Sequence, residues 1–323
     1  MSRIRFLLVS DLHGSDLVLN KTINAAKFYG VTDVIVAGDL TGKLLVPIVD
    51  NGNGSYTLEL FGEVRTVQEA QLPEAEKKIR SNGGYFKIVS REEYAELESD
   101  KAKVKGAFLD EMKRTVDAFV SRAEERLRPL GARIYVIPGN DEYEEIAAYL
   151  NSCRSDVVIP FDLRIIEFGG DTLLAGFGYS NPTPWHTPRE LPEEEILAKL
   201  QELMAKADPS RTLLVSHVPP FGTAIDKAPK LGPNFQPELL AGEFQMVSVG
   251  SPSVRSVIER FEPLMGLHGH IHESYGIDYV RGKGNGRRIP IVNPGSDYSS
   301  GILRGAVLEL NDGKLKHPMF TRG

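Results

Sequence analysis

The stretch Ile4-Arg5-Phe6-Leu7-Leu8-Val9-Ser10-Asp11-Leu12-His13-Gly14 decides how the chain begins to fold. Its apolar run is continuous rather than alternating, the pattern of a strand buried on both faces in an α/β sheet. Leu17 to Tyr29 then carries apolar residues at helical spacing (Leu19, Ile23, Ala26), and Gly30 is a natural helix stop. Val34-Ile35-Val36-Ala37 is a second buried strand, running into Gly38-Asp39-Leu40. Strand, helix and strand make a βαβ unit, so the two strands should be parallel with adjacent carboxyl ends. Asp11, His13 and Asp39 thus fall on one sheet edge, where ligand sites of such sheets lie.

Further along, Arg133 to Ile137 is a third buried strand, ending at Pro138-Gly139-Asn140-Asp141-Glu142, with a helix expected over Glu142 to Asn151. Val157 to Ile159, Arg164 to Phe168 and Thr172 to Gly176 follow at hairpin spacing, with Gly169-Gly170-Asp171 as turn material. They point to an antiparallel region and a second sheet. A helix over Glu193 to Ala207 precedes the strand Thr212 to Val215, which ends at Ser216-His217-Val218-Pro219-Pro220. A helix over Ser253 to Phe261 precedes Leu264 to Leu267, which runs into His268-Gly269-His270-Ile271-His272. Ile289 to Val292 ends at Asn293-Pro294-Gly295-Ser296, and Ala306 to Leu310 with Lys314 to Phe320 forms a closing hairpin around Asn311-Asp312-Gly313.

Residues 43–100 break this rhythm and read as an insertion within a single domain spanning 1–323. Tyr56 to Phe61 and Tyr85 to Val89 look like strands and Pro73 to Ser81 like a helix, while Ser90-Arg91-Glu92-Glu93 fits a capping box. A long amphipathic helix is expected over Phe108 to Leu130. Because the insertion leaves directly after Asp39, it should lie over or beside the site. A cap or lid and a peripheral decoration both remain open.

Hydrophobic content of 41% and charged content of 25% are ordinary for a globular chain. The net charge of -6 gives no support to nucleic acid as a partner; Arg287-Arg288 with Lys283 is a small basic group at best. The single cysteine, Cys153, excludes an intramolecular disulfide and a cysteine zinc site. The run after Met1-Ser2-Arg3 is too short for a signal-peptide core, and no stretch approaches the roughly 18 apolar residues that span a bilayer. The chain reads as cytoplasmic.

Five expected strand ends therefore carry metal-ligating residue types: Asp11 and His13, Asp39, Asn140, His217, and His270 with His272. Any one of these is often structural, and a histidine tract alone reads equally as a solvated turn. Their joint placement is harder to explain so. Seven donors exceed one tetrahedral zinc and suit two metals sharing a bridging carboxylate. His268 sits one step further from the edge and reads as packed behind the others. Trp185 and His186, in a Pro-rich loop, are candidates to rim the site, whereas His317 belongs to the last hairpin. Asp226 and Asn293 are candidates to shape the pocket.

Asp11-Leu12-His13, Gly38-Asp39, Gly139-Asn140-Asp141, Ser216-His217 and Gly269-His270-Ile271-His272 resemble, in order, the signature of the calcineurin-like metallophosphoesterases. Within that family the Pro-Pro after His217, the run Gly269 to Glu273 and Asn293-Pro-Gly-Ser296 are similar to the Icc-related predicted phosphoesterases. The resemblance implies a four-layer αββα sandwich of two mixed β-sheets flanked by helices. It implies that Asp11, His13 and His272 hold one divalent ion, that Asn140, His217 and His270 hold another, and that Asp39 bridges them. Mixed nitrogen and oxygen donors suit Mn, Fe, Zn, Co or Ni. The implied reaction is in-line attack of a metal-bridging hydroxide on a small phosphoester, with phosphodiesters the leading class. Phosphomonoesters and nucleotide pyrophosphates are the alternative substrates, and a non-catalytic scaffold of the same fold the alternative role. Oligomeric state stays open.

One departure from the pattern matters. Many members carry histidine after the Gly-Asn pair, and that histidine is linked to leaving-group protonation or transition-state stabilisation. Here the residue is Asp141, a poor general acid beside two cations. It is a candidate to orient His217 or a water, or to cap the helix from Glu142.

Overall fold

β1 (Ile4–Val9) and β2 (Asp33–Ala37) pair in parallel across α1 (Asp16–Tyr29), with Leu7 opposite Val34 and Val9 opposite Val36. Leu7 and Val9 face one core while Phe6 and Leu8 face another. That two-sided burial is why the run is apolar without alternation. The computed structural model describes residues 3–60, 62–232 and 235–323.

Residues 44–89 build a sheet of their own. β3 (Leu44–Asp50), β4 (Ser55–Leu60), β5 (Glu63–Gln68) and β6 (Gly84–Val89) lie in the order β5-β4-β3-β6. With α2 (Leu72–Ser81) they enclose a small core of Val46, Ile48, Leu58, Leu60, Leu72 and Ile79. Phe61, where the second of these strands was expected to end, lies outside the described residues. β3 and β5 escape a sequence reading because Pro47 interrupts the first and the second is an exposed polar edge. α3 (Arg91–Ser99) starts at the expected capping box, with reciprocal bonds between Ser90 and Glu93.

α4 (Lys101–Leu127) begins at Lys101 rather than Phe108, because the Asp100 carboxylate accepts from the backbone N–H groups of Ala102 and Lys103. Residues 101–106 are exposed, so no apolar periodicity announces them. β7 (Arg133–Ile137) joins β2 in parallel, and α5 (Glu144–Ser152) leads to β8 (Val158–Pro160). Two expectations fail here. β8 extends the first sheet parallel to β7 instead of belonging to a hairpin. Asp141 caps no helix: α5 starts at Glu144 with Tyr143 at its N-cap, and Glu142 turns inward.

β9 (Ile165–Glu167), β10 (Leu173–Phe177), α6 (Glu193–Ala205) and β11 (Thr212–Ser216) begin the second sheet. A small arm follows, comprising β12 (Lys227–Pro229), β13 (Leu239–Leu240), β14 (Glu243–Phe244) and β15 (Met246–Ser248). α7 (Pro252–Phe261), β16 (Met265–Leu267), β17 (Gly276–Arg281) and β18 (Arg288–Asn293) complete that sheet. β19 (Arg304–Asn311) and β20 (Lys314–Arg322) return to the first, where β19 runs antiparallel to β1.

Two mixed six-stranded sheets result, ordered β20-β19-β1-β2-β7-β8 and β17-β18-β16-β11-β10-β9. Phe6, Ile35, Tyr135, Leu213, Val215 and Leu267 interdigitate between them. α1, α4 and α5 cover the outer face of the first sheet, and α6 and α7 that of the second. This is the four-layer αββα sandwich with two mixed sheets that the resemblance implies. No helix among the described residues is long and apolar enough to cross a membrane.

Candidate metal centre

The carboxyl ends of β1, β2, β7, β11 and β16 converge at one end of the sandwich. Each delivers its polar residues there through a backbone turn. Asp11 (φ 56°), His13 (φ 42°), Asp39 (φ 51°) and His270 (φ 66°) all adopt the left-handed region that non-glycine residues avoid. Such conformations cost on the order of 1–3 kcal/mol each and concentrate at functional sites. Here they follow from side chains turning back over the strand ends rather than continuing the pleat. His268 precedes the turn and stays buried, its Nδ1 2.9 Å from the Ser216 carbonyl, behind the cluster as expected.

The donors sort into two groups about Asp39. His13 Nε2 faces His272 Nε2 at 3.1 Å, and His272 Nε2 lies 3.3 Å from Asp11 Oδ1. On the other side Asn140 Oδ1 lies 2.9 Å from His217 Nε2 and 2.8 Å from His270 Nδ1. Asp39 Oδ2 stands between them, 3.6 Å from His13 Nε2 and 3.4 Å from His217 Nε2. All seven sequence-predicted donors are thus brought together. Apart from His270 and His272, each is almost wholly buried. Triads drawn from Asp11, His13, Asp39, Asp141, His217 and His272 each have donor atoms close enough to hold one ion.

Surrounding groups hold the donors in register. His217 Nδ1 meets the Ala37 carbonyl at 2.7 Å, which leaves Nε2 to face the cluster. Asn140 Nδ2 donates to Thr187 Oγ1 at 2.7 Å, and Thr187 in turn donates to Glu190, so the Asn140 oxygen points inward. Glu142, fully buried, accepts from the Thr41 N–H and hydroxyl with one oxygen and from the Gly139 N–H with the other. It ties the Asp39 loop to the Asn140 loop. Burial, then Asp39, raises its carboxyl to about 7. Asn293 donates to the carbonyls of Gly269 and Ile271, and Ser296 donates to that of Asp11. Asp226 caps the turn at Gly222 and Thr223, so it shapes the loop after His217. Trp185 and His186 are exposed, and His317 lies outside the cluster on β20.

Two glycines are required by close approach. A Cβ on Gly139 would meet Asp39 Oδ1 at 2.0 Å, and one on Gly38 (φ 113°) would meet His217 Nδ1 at 2.2 Å. The motif glycines let neighbouring strand ends press their donors into one small volume.

The donor set fits divalent cations. Burial acts to raise Asp11 and Asp39, yet neighbouring histidines hold both well below the usual carboxylate range. Burial pushes the His217 imidazole down, but Asp39 and then Asp11 raise it to about 10. Burial and His217 push His270 down to about 3. The carboxylates therefore favour positive charge, which a proton on His217 supplies in the absence of an ion, at a place where His13 and His270 stay neutral and present lone pairs, and this is the electrostatic requirement of a nitrogen and oxygen metal site. No thiolate lies among the donors.

Asp141 does not orient His217, whose free nitrogen is taken by Ala37. Its Oδ2 lies 3.5 Å from His13 Nδ1 and 3.3 Å from Lys43 Nζ, and its backbone N–H donates to Asp39 Oδ1. Burial, then Asp39, raises its carboxyl to about 6, with Lys43 acting the other way. Lys43, Tyr298, Thr187 and Glu142 are the groups a sequence reading misses. The Tyr298 ring lies 4.4 Å from that of His13 and 5.8 Å from that of His272, centre to centre. None of the four carries a motif, and Lys43 is one lysine at the foot of an insertion.

No family model matches the chain. It is 32% identical over 163 residues to the uncharacterized protein MJ1162 of Methanocaldococcus jannaschii, a match covering 50% of this chain and 63% of that relative. The chain therefore spans under two thirds of the relative's length. One crystal structure aligns with a TM-score of 0.54 at 18% identity, covering 97% of this chain and 98% of the other. The crystal structure of TT1561 of Thermus thermophilus aligns with a TM-score of 0.50 at 16% identity, covering 100% and 99%. The chain shares the fold of these two structures over essentially its whole length, while its chemistry must be argued from its own residues.

Proposed function

We propose that the chain is a two-metal-dependent phosphoester hydrolase of the calcineurin-like kind, related to the Icc-related phosphoesterases, with phosphodiesters as its leading substrate class. The observation that carries this reading is the division of seven donors into two groups with Asp39 Oδ2 between His13 and His217. In it Asp11, His13 and His272 hold one ion, Asn140, His217 and His270 the other, and Asp39 both. When bound, two divalent ions of Mn, Fe, Zn, Co or Ni supply Lewis acidity toward phosphoryl oxygens and lower the pKa of a water.

The chain's own contribution is to hold these donors rigidly. Ala37 fixes the ring of His217, Thr187 fixes the amide of Asn140, and Glu142 locks the two loops together, so little reorganisation accompanies reaction. Asp141 acts electrostatically beside His13 and Lys43 rather than by handing a proton to the leaving group. The insertion, rooted next to His13, borders the site as a cap. A small phosphoester is the expected partner.

The test is a metal screen with paired aryl phosphate monoesters and diesters, run on the parent chain and on Asp39→Asn. The parent should hydrolyse the diester with at least one of these metals. Asp39→Asn should lose at least about a hundredfold of that rate and bind metal more weakly by calorimetry. Hydrolysis that survives the substitution at full rate sinks the mechanism. A monoester preference moves the chain to the phosphomonoesterases of the same site.

A further inference from the structure

Lys43 stands beside the cluster without being part of it. Its Nζ lies 3.3 Å from Asp141 Oδ2, with 44% of its side chain exposed against 12% for Asp141. The same nitrogen lies 5.6 Å from the centre of the Tyr298 ring. Both of these neighbours adjoin the cluster: Asp141 Oδ2 lies 3.5 Å from His13 Nδ1, and the Tyr298 ring lies 4.4 Å from that of His13, centre to centre.

The lysine is held from two sides. Gly42, just before it, donates its N–H to the buried Tyr85 hydroxyl at 2.6 Å, which fixes the backbone at the foot of β3. Beyond the backbone, Asp141 and the face of Tyr298 fix the ammonium. An ammonium carries three N–H donors. Asp141 takes one, the aromatic face occupies a second direction, and the exposed side keeps donor capacity toward solvent. An exposed ion pair contributes little to stability, and this one requires a carboxylate to be buried against Asp39. Its placement is better explained by what the ammonium faces than by what it stabilises.

We propose that Lys43 is a substrate-binding residue whose ammonium takes a non-bridging phosphoryl oxygen, with Asp141 and Tyr298 as its positioning residues. This rests on the phosphoester reading of the site for its substrate class. The contact is worth more to a phosphoryl group with a second negative charge than to a diester, so a diester depends on it less without the leading substrate class being changed.

The test uses the full chain with Mn²⁺ present and inorganic phosphate as the probe, titrated calorimetrically into the parent, Lys43→Met and Lys43→Arg. Lys43→Met keeps the length and packing of the stem, and thermal melting checks that it folds. Its phosphate Kd should rise about tenfold or more, as expected for losing a charge-assisted hydrogen bond. Lys43→Arg should stay within about threefold of the parent. With aryl substrates, Lys43→Met should raise KM, more for the monoester than for the diester. A Kd shift under threefold in Lys43→Met, or no phosphate binding by the parent, overturns the proposal. The two readings fail separately. Phosphate binding through Lys43 without turnover leaves this site standing and removes the hydrolase, whereas turnover with an unshifted Kd and KM removes only the role of Lys43.

Discussion

Asp39 shows how much a single residue at this site depends on its neighbours. Its carboxylate reaches both donor groups because its backbone takes φ 51° and because Gly139 leaves room for Oδ1. Gly139→Ala would place a methyl group 2.0 Å from that oxygen, with backbone rather than a flexible tip also in the way. Mn²⁺ affinity, measured by calorimetry, should fall by about 10–100-fold, while relief of the overlap costs about 1–3 kcal/mol of stability in urea. Unchanged Mn²⁺ affinity in a folded variant would show that the close approach is incidental. Asp141 makes the other residue-scale prediction. Burial and Asp39 raise the Asp141 carboxyl to about 6, but two cations bound beside it would hold it ionised and make it a poor proton donor to a departing alkoxide, so substrates with good leaving groups should be favoured. Asp141→His should speed poor leaving groups by about 10²-fold or more and flatten the dependence of rate on leaving-group pKa. An identical slope in the variant removes that account.

At the scale of elements, the small sheet of residues 44–89 is tied to the sandwich at its root. Tyr85 of β6 packs into the core beneath α1 and α4, edge-on to Phe108 at 5.6 Å, and its hydroxyl accepts from the Gly42 N–H. Ser15 donates to the Ser81 carbonyl at 2.6 Å, tying the end of α2 to the start of α1. Tyr85→Phe leaves a buried N–H without its partner, at about 1–3 kcal/mol. Hydrogen exchange should accelerate at β3 and β6, and KM should rise if Lys43 is positioned from there. By contrast Ser90→Ala, which removes only the α3 cap, should lower stability by about 1 kcal/mol and leave KM alone. Equal effects of the two on KM would deny the root of the insertion any special link to the site.

Across the whole molecule, the two sheets are clamped next to the site by a buried ion pair. Arg189, 1% exposed, donates to Asp162 Oδ2 at 2.6 Å and to the Gly139 carbonyl at 3.2 Å, and stacks on Tyr179. Asp162 follows β8 of the first sheet and accepts from the Gly178 N–H beyond β10 of the second. Without Asp162 the buried Arg189 keeps only the largely exposed Glu144, 3.4 Å away, as a counter-charge, so Asp162→Ala should cost about 3 kcal/mol in denaturant unfolding. A loss below about 1 kcal/mol would mean that water reaches Arg189 freely.

How far this was legible from the chain alone follows from the range of each signal. Strands such as Ile4–Val9 and Arg133–Ile137 declare themselves because burial on both faces demands an unbroken apolar run. The seven donors declare themselves because each directly follows such a run. The start of α4 at Lys101 stayed hidden because its first turns face solvent, and β5 stayed hidden as an exposed polar edge. β8 was readable as a strand, but which sheet it joined depended on pairing with β7, a choice no local pattern records. The same holds at the site. Residue type and position after a strand determined which side chains are candidate ligands. Only the tertiary structure decided that Asp141 faces His13 instead of His217, that Thr187 and Glu142 hold the donors, and that Lys43 pairs with Asp141, since those contacts join segments far apart in the chain that meet only once the strands have paired and the sheets have stacked.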